Sequence, residues 1–117
     1  MIPTRIHGVI DYLYGAVLIG GPFLLGFADG SAAELVPRIL GVSVIFFSLF
    51  TRYELSLIKL IPMKVHLAND VVSGIFLAAS PWLFGFADRI WWPHVLAGVT
   101  SIVIPLLTSR NPAVVRQ

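Results

Sequence analysis

The sequence predicts an all-α fold, a four-helix transmembrane bundle built from two tandem two-helix repeats. Three observations lead to this prediction: a 117-residue chain that is 57% hydrophobic and 12% charged, four apolar blocks, and an internal repeat. Soluble domains are about 25% charged, and disordered chains combine high charge with low hydrophobicity. The composition therefore excludes both classes, and we expect one integral membrane domain over residues 1–117.

Four apolar blocks predict the four spans. Their approximate bounds are residues 6–27, 35–50, 66–87 and 95–107. A helix of about 21 residues is about 31 Å long, which is enough to cross the hydrocarbon core. The segment 55–65 is too short and too charged to span, so we expect it to lie along the headgroups. The first block could also be a signal peptide, but the charged Asp11 within it favours a retained span.

An internal repeat relates the two halves of the chain. At an offset of 59, residues 7–29 and 66–88 share 10 identities in 23 positions, and Gly41/Gly98 and Thr51/Thr108 match at an offset of 57. Each unit has two spans, so both units have the same orientation and are related by a pseudo-two-fold along the membrane normal. The chain then divides into repeat 1 (about 6–54), a linker (about 55–65) and repeat 2 (about 66–110).

Short motifs in the two units resemble those of a known family. Gly-Pro-Phe-Leu-Leu-Gly-Phe at 21–27 and Ser80-Pro81-Trp82-Leu-Phe-Gly-Phe at 80–86 resemble the signature of SPW-repeat membrane proteins. The second unit carries Ser-Pro-Trp intact, whereas the first has Gly and Phe around Pro22. The resemblance implies a bacterial or archaeal membrane protein without a known biochemical role, and it supplies no catalytic residues.

Basic residues are distributed unevenly between the two ends of the predicted spans. The side opposite the termini carries only Arg38 and Arg89. The side of the termini carries Arg5, Arg52, Lys59, Lys64, Arg110 and Arg116. The positive-inside rule therefore predicts a multi-pass protein of the cell's inner (plasma) membrane with both termini cytoplasmic. The basic residues are too scattered for a nucleic-acid partner.

Two His-x-x-x-Asp pairs form a candidate polar cluster inside the membrane. His7 and Asp11 have the i,i+4 spacing that puts both on one helix face, and His66 and Asp70 repeat the pair. If spans one and three face each other, the four groups approach the pseudo-axis, and intramembrane ionisable residues are functional candidates. In the structural alternative, each pair only stabilises its own helix. The histidine bonds to the aspartate one turn away, and the helix dipole favours a carboxylate in the first turn. In that interpretation the aspartates also form ion pairs with Arg52 and Arg110.

Proline recurs at one position of spans one and three. Pro22 and Pro81 each free a carbonyl in the preceding turn, so we expect a kink, and Ser80 can bond to the freed backbone. A broken helix that lines a path is the functional alternative. Trp82 is expected to anchor the helix at the far interface, together with Trp91 and Trp92.

Glycines also recur, and we expect them to permit close helix packing. They are Gly15, Gly26, Gly74 and Gly85. His94 is expected at the start of span four, either solvated or as a capping residue.

These observations leave three functions open. The first is a structural or interaction module, with the lipid bilayer and either a second copy or another membrane protein as partners. The second is a proton or small-ion channel or transporter that uses the His/Asp pairs, and the third is a metal or cofactor site at that cluster. The chain has no cysteine, no catalytic motif and no established metal-ligand spacing. We therefore expect neither an enzyme nor a resident metal or cofactor.

Overall fold

A computed structural model describes residues 2–108, which form four α-helices and, within that range, no β-strand. The helices are α1 (Thr4–Leu24), α2 (Ala32–Leu49), α3 (Met63–Leu83) and α4 (Trp92–Leu106). The all-α prediction is confirmed. Each helix begins two or three residues before its apolar block, because the first turn contains polar or capping positions. At α2, for example, the Ser31 side chain accepts a hydrogen bond from the Ala33 N–H.

The outer surface is apolar and the interior contains many polar groups. Leu13, Ile39, Val72 and Leu96 are 61–66% exposed on the four helices. Buried polar side chains include those of Thr4, Ser48, Thr51, Ser80 and Thr108. An apolar exterior around paired polar groups is the arrangement that a lipid environment favours, because lipid cannot hydrate a polar side chain.

Two of the helices satisfy the length and composition criteria for a membrane span. They are α1 and α2, with mean hydropathies of 1.2 and 1.7 over their most apolar stretches. The fourth helix is apolar but has 15 residues, about 22 Å of helix. Helix α3 has 21 residues, about 31 Å, and includes the polar residues of the second His–Asp pair. Helical content and apolar composition thus indicate a membrane location.

Glycines allow α1 to pack closely on α2, and α3 on α4. A Cβ atom at Gly41 would lie 2.7 Å from the Gly15 carbonyl oxygen, and one at Gly98 would lie 2.6 Å from the Gly74 carbonyl oxygen. A backbone carbonyl cannot rotate away as a side chain can, so these crossings require glycine. The predicted packing role of Gly15 and Gly74 is confirmed.

Gly26 and Gly85 have a different role from the predicted one. Both adopt the left-handed conformation, with φ of +80° and +74°, and no atom lies within 4 Å of a Cβ built there. At each position the next N–H bonds back to a proline carbonyl at 2.8 Å, from Phe27 to Pro22 and from Phe86 to Pro81. These are Schellman helix ends, so the two glycines terminate helices and the close-packing prediction was wrong for them.

The repeated prolines lie at helix ends and not within a broken helix. Helix α1 ends two residues after Pro22 and α3 ends two residues after Pro81. The prolines lie nearer the helix ends than the apolar blocks indicate, because the helices end three or four residues before those blocks do. The Ser80 hydroxyl donates to the Leu77 carbonyl at 2.7 Å, which is the carbonyl that Pro81 leaves without its usual donor.

Candidate functional site

Helices α1 and α3 bring the two His–Asp pairs together between two helical hairpins, one formed by α1 and α2 and the other by α3 and α4. His7 Nε2 lies 3.1 Å from Asp11 Oδ2 and 3.0 Å from Asp70 Oδ2. His66 Nε2 lies 2.6 Å and 3.3 Å from the same two oxygens. All four side chains are 7% exposed or less. We call these four residues the His–Asp cluster.

The closer contacts in the His–Asp cluster are between helices. Asp11 is nearer to His66 of α3 than to His7 of its own helix, and Asp70 is nearer to His7 than to His66. Each carboxylate oxygen therefore joins one hairpin to the other. The local i,i+4 contacts that the spacing predicts are present, but they are the longer ones.

Two threonines orient the imidazole rings. His7 Nδ1 lies 2.9 Å from Thr108 Oγ1, and His66 Nδ1 lies 2.7 Å from Thr51 Oγ1. Each threonine hydroxyl donates its one proton to a helix carbonyl, of Ile104 in the first case and Phe47 in the second. The threonine oxygens can then only accept, so each histidine donates Nδ1–H and turns Nε2 toward the carboxylates.

The sequence analysis did not assign Thr51 and Thr108 to the site. The available signal was their identity at an offset of 57, a polar match within an otherwise apolar stretch. A threonine within one turn of a helix end has many roles, so the match alone did not indicate a histidine partner.

The surroundings of the two aspartates differ. The Ser48 hydroxyl donates to Asp11 Oδ2 at 3.2 Å, whereas the position 57 residues later is Pro105, which has no donor. Ser101 donates instead to the backbone carbonyl of Asp70, at 2.7 Å. Within residues 2–108, the buried Asp70 Oδ1 has no hydrogen-bond partner. A cavity of about 10 Å³ borders the cluster, about the space of one water molecule.

Several expectations for the cluster were wrong. Asp11 and Asp70 are each the eighth residue of their helix, in the third turn, where the favourable dipole of the first turn has faded. Arg52 is exposed and, among the residues described, forms no ion pair with either aspartate. Its position at the end of α2 directs it outward while Thr51 faces the cluster. Arg110 lies outside the described residues.

The Ser-Pro-Trp motif lies at the opposite end of α3 from the His–Asp cluster. Ser80 and Pro81 are buried, whereas Trp82 is 61% exposed. Ten residues, about 15 Å of helix, separate Ser80 from Asp70. The motif therefore shapes the helix end and takes no part in the cluster.

His94 is buried, which corrects the expectation of a solvated residue. Its Nε2 donates to the Ala33 carbonyl at 2.8 Å, and its ring lies between Phe27 and Phe86 at centroid distances of 5.3 and 4.7 Å. The two phenylalanines follow the Schellman glycines of α1 and α3. Sequence position alone did not reveal that both helix ends close over the start of α4.

An ion pair joins the two hairpin loops on the same side as His94. Asp29 accepts hydrogen bonds from the Ser31 hydroxyl at 2.5 Å, from the Ser31 N–H at 3.0 Å, and from Arg89. These bonds lower the pKa of Asp29 to about 2. The hairpins are therefore connected near both ends, by the buried cluster at one and by exposed charges at the other.

Two imidazole nitrogens and two carboxylate oxygens define the chemistry available to the cluster. These four atoms all lie within 4.8 Å of one another. Such a set can share protons or hold one small cation.

Comparison with known proteins gives one match. No curated protein and no solved structure matches the chain. The family model described as the SPW repeat domain matches residues 5–108, which include the four helices except Thr4, the first residue of α1, and the whole His–Asp cluster. The family expected from the Ser-Pro-Trp motif is thus confirmed, and the chain belongs to the SPW repeat family.

Proposed function

We propose that this chain is a structural or interaction module of the cell's inner membrane, acting by self-association or as a subunit of a membrane complex. The observation that carries the proposal is the closed His–Asp cluster, whose members come from both hairpins. Because its polar groups pair across the hairpins, the cluster holds two helix pairs together in a medium that gives helices little hydrophobic reason to associate. We propose no enzymatic activity.

The proposed architecture is a four-helix transmembrane bundle of two parallel hairpins related by a pseudo-two-fold along the membrane normal. Reciprocal contacts support it. Ile2 pairs with Thr108 as Ile61 pairs with Thr51, and these pairs correspond at offsets of 59 and 57. The histidine–threonine bonds and the two glycine crossings correspond in the same way.

The proposed orientation puts both termini and the linker 55–65 on the cytoplasmic side. Lys59 and Lys64 lie on that side, and Leu57 and Leu60 beside them are 77% and 63% exposed, as expected of a segment along the headgroups. Trp82, Trp91 and Trp92, each at least half exposed, lie at the other end of the helices. Tryptophan is typical of a membrane interface.

The small size of the cavity beside the His–Asp cluster favours association over conduction. The cavity beside the cluster has a volume of about 10 Å³, which holds about one water molecule and no hydrated ion. A route for ions needs a continuous polar path, and the residues flanking this cavity on α4 and α2 include Ile104 and Val44. The duplicated His–Asp pairs are therefore better explained as a connection between hairpins.

Association is tested on purified protein in lipid nanodiscs and in detergent. We expect light scattering and crosslinking to detect an oligomer, or a membrane protein to copurify at a fixed ratio. A strictly monomeric protein without a partner contradicts the proposal. Proton flux in proteoliposomes that disappears in the folded D11N/D70N variant contradicts it too, and favours the channel alternative.

Orientation is tested by cysteine labelling, because the chain has no native cysteine. We expect D88C to react in intact cells with a maleimide that cannot cross membranes. K59C serves as the matched position and should react only after the membrane is permeabilised. The opposite pattern overturns the proposed orientation and leaves the association proposal to its own test.

A further inference from the structure

We propose that the His–Asp cluster binds one divalent transition-metal ion of the zinc class, with His7, Asp11, His66 and Asp70 as ligands. The ion would join α1 to α3 and thereby the two hairpins. This inference goes beyond the proposed function, which requires only that the cluster be closed and polar.

The number of protons is the first argument. The cluster contains four N···O contacts of 2.6–3.3 Å, two for each Nε2 atom. Each Nε2 can carry one proton, so two protons would have to serve four contacts. A single cation at the centre attracts all four atoms at once.

Ring orientation is the second argument. Thr108 and Thr51 each accept the Nδ1 proton of one histidine, so in the neutral ring each Nε2 directs its lone pair to the centre. Metal-ligating histidines are held in this way, with the second ring nitrogen donating to an oxygen. The threonines are in turn anchored on helix carbonyls, which fixes the rings before any ion binds.

The four N···O distances lie near those of a tetrahedral site, and all four ligand atoms lie within 4.8 Å of one another. Zinc–nitrogen and zinc–oxygen bonds of about 2.0–2.2 Å place tetrahedral ligand atoms about 3.3–3.6 Å apart. The longest N···O contact, 3.3 Å, already matches. The shortest, 2.6 Å between His66 and Asp11, would have to lengthen by about 0.7 Å when an ion binds.

Charge and an unpaired oxygen complete the argument. Two carboxylates and two neutral imidazoles carry a charge of −2, which one divalent ion neutralises, as a buried site in a membrane requires. The Asp70 side chain is 4% exposed, and its Oδ1 has no partner in residues 2–108. Because Oδ1 has no hydrogen bond to break within residues 2–108, the Asp70 carboxylate can turn and bind an ion through one oxygen.

The first experiment measures metal in the wild-type protein, purified in detergent with an affinity tag that contains no histidine. We expect elemental analysis after incubation with Zn²⁺ and buffer exchange to give about one ion per chain. Titration of the metal-stripped protein with Co²⁺ should produce the intense visible bands of a tetrahedral complex, saturating at one equivalent. The D70N variant should lose both signals, whereas D88N, which removes an exposed carboxylate of the other side, should keep them.

A second measurement keeps the inference falsifiable if D70N does not fold. Nitrogen-15 spectra of histidine in the folded wild-type protein distinguish the two occupants. A bound metal leaves Nε2 without a proton, whereas two shared protons give an Nε2–H signal for each ring. Persistent Nε2–H signals in the presence of Zn²⁺, or Co²⁺ spectra that are the same with and without the protein, overturn the metal site. The association and flux experiments are unaffected by that result.

The positioning role of threonine has its own test. The T108V variant keeps all four ligands and removes the oxygen that His7 Nδ1 needs. We expect metal affinity to fall about 10–100-fold. T100V is the matched control, because Thr100 is half-buried near the same cavity but its hydroxyl donates to the Leu96 carbonyl of its own helix. Equal affinities for the two variants contradict the role of Thr108.

Discussion

Asp11 Oδ2 lies 2.6 Å from His66 Nε2 on another helix and 3.1 Å from His7 Nε2 one turn away on its own. The closer bond therefore crosses from the first hairpin to the second. Because both groups are buried, removing either leaves the other without its nearest partner. This relationship makes the cluster a tertiary contact, and its strength can be measured as one.

We expect the free energy of coupling to be larger for Asp11 with His66 than for Asp11 with His7. Each of D11A and H66A should destabilise the protein by about 3–5 kcal/mol, because each removes the closest charged partner of a buried group. The double variant should be more stable than the sum of the single effects predicts, by about 0.5–3 kcal/mol. Unfolding in mixed detergent–SDS micelles measures these values. Equal coupling for the two histidines, or stronger coupling to His7, would contradict the prediction.

The close contacts between helices at Gly41 and Gly98 predict a second set of stability effects. G41A and G98A place a methyl group 2.7 Å and 2.6 Å from a carbonyl oxygen of the facing helix, so the helices must separate. We expect each to cost about 1–3 kcal/mol of unfolding free energy, measured in the same micelles. G20A is the matched control, since nothing lies within 4 Å of its Cβ, and it should be neutral or stabilising by up to about 1 kcal/mol. Similar losses of unfolding free energy in all three variants would contradict the close helix packing at these glycines.

At the Schellman glycines, the cost of a substitution should depend on the left-handed backbone conformation and not on the space available for a side chain. G26A forces an alanine to a φ of +80°, at a cost of about 1–2 kcal/mol, although the site is open. G26N should cost less, because asparagine adopts the left-handed conformation more readily. Thermal unfolding of the two variants checks the order. If G26A is as stable as the wild-type protein, the helix end is not held in this conformation.

Much of the fold followed from the sequence because its signals are periodic and local. The four apolar blocks predicted four helices, and the repeat of Gly15 at Gly74 indicated a shared packing role. The helix ends were less predictable. Gly26 and Gly85 looked like packing glycines, since a small residue near an apolar block has two explanations, and only the backbone conformation decides between them.

The candidate site was partly predictable for the same reason. The spacing of His7 with Asp11 put them on one face, and the repeat added a second pair. Whether the His–Asp contacts within a helix or those between helices are shorter depends on how the two hairpins approach each other. Residue spacing within one helix does not determine that approach. Burial of His94 likewise depends on two helix ends, 59 residues apart in sequence, closing over the start of α4.

The ion pair between the hairpin loops predicts a pH dependence outside the membrane. Bonds from Ser31 and Arg89 lower the pKa of Asp29 to about 2, below the value of about 3.9 usual for the unfolded chain. A lowered pKa in the folded state means that the contribution of Asp29 is complete above about pH 4 and is lost as the pH falls through about 2. The difference in unfolding midpoint between wild type and D29N should therefore shrink as the pH falls across that range. D88N is the control for removing an exposed carboxylate from the same loop side. A wild-type and D29N difference that stays constant from pH 5 to about 2 would show that Asp29 is not bonded to Ser31 and Arg89 in solution.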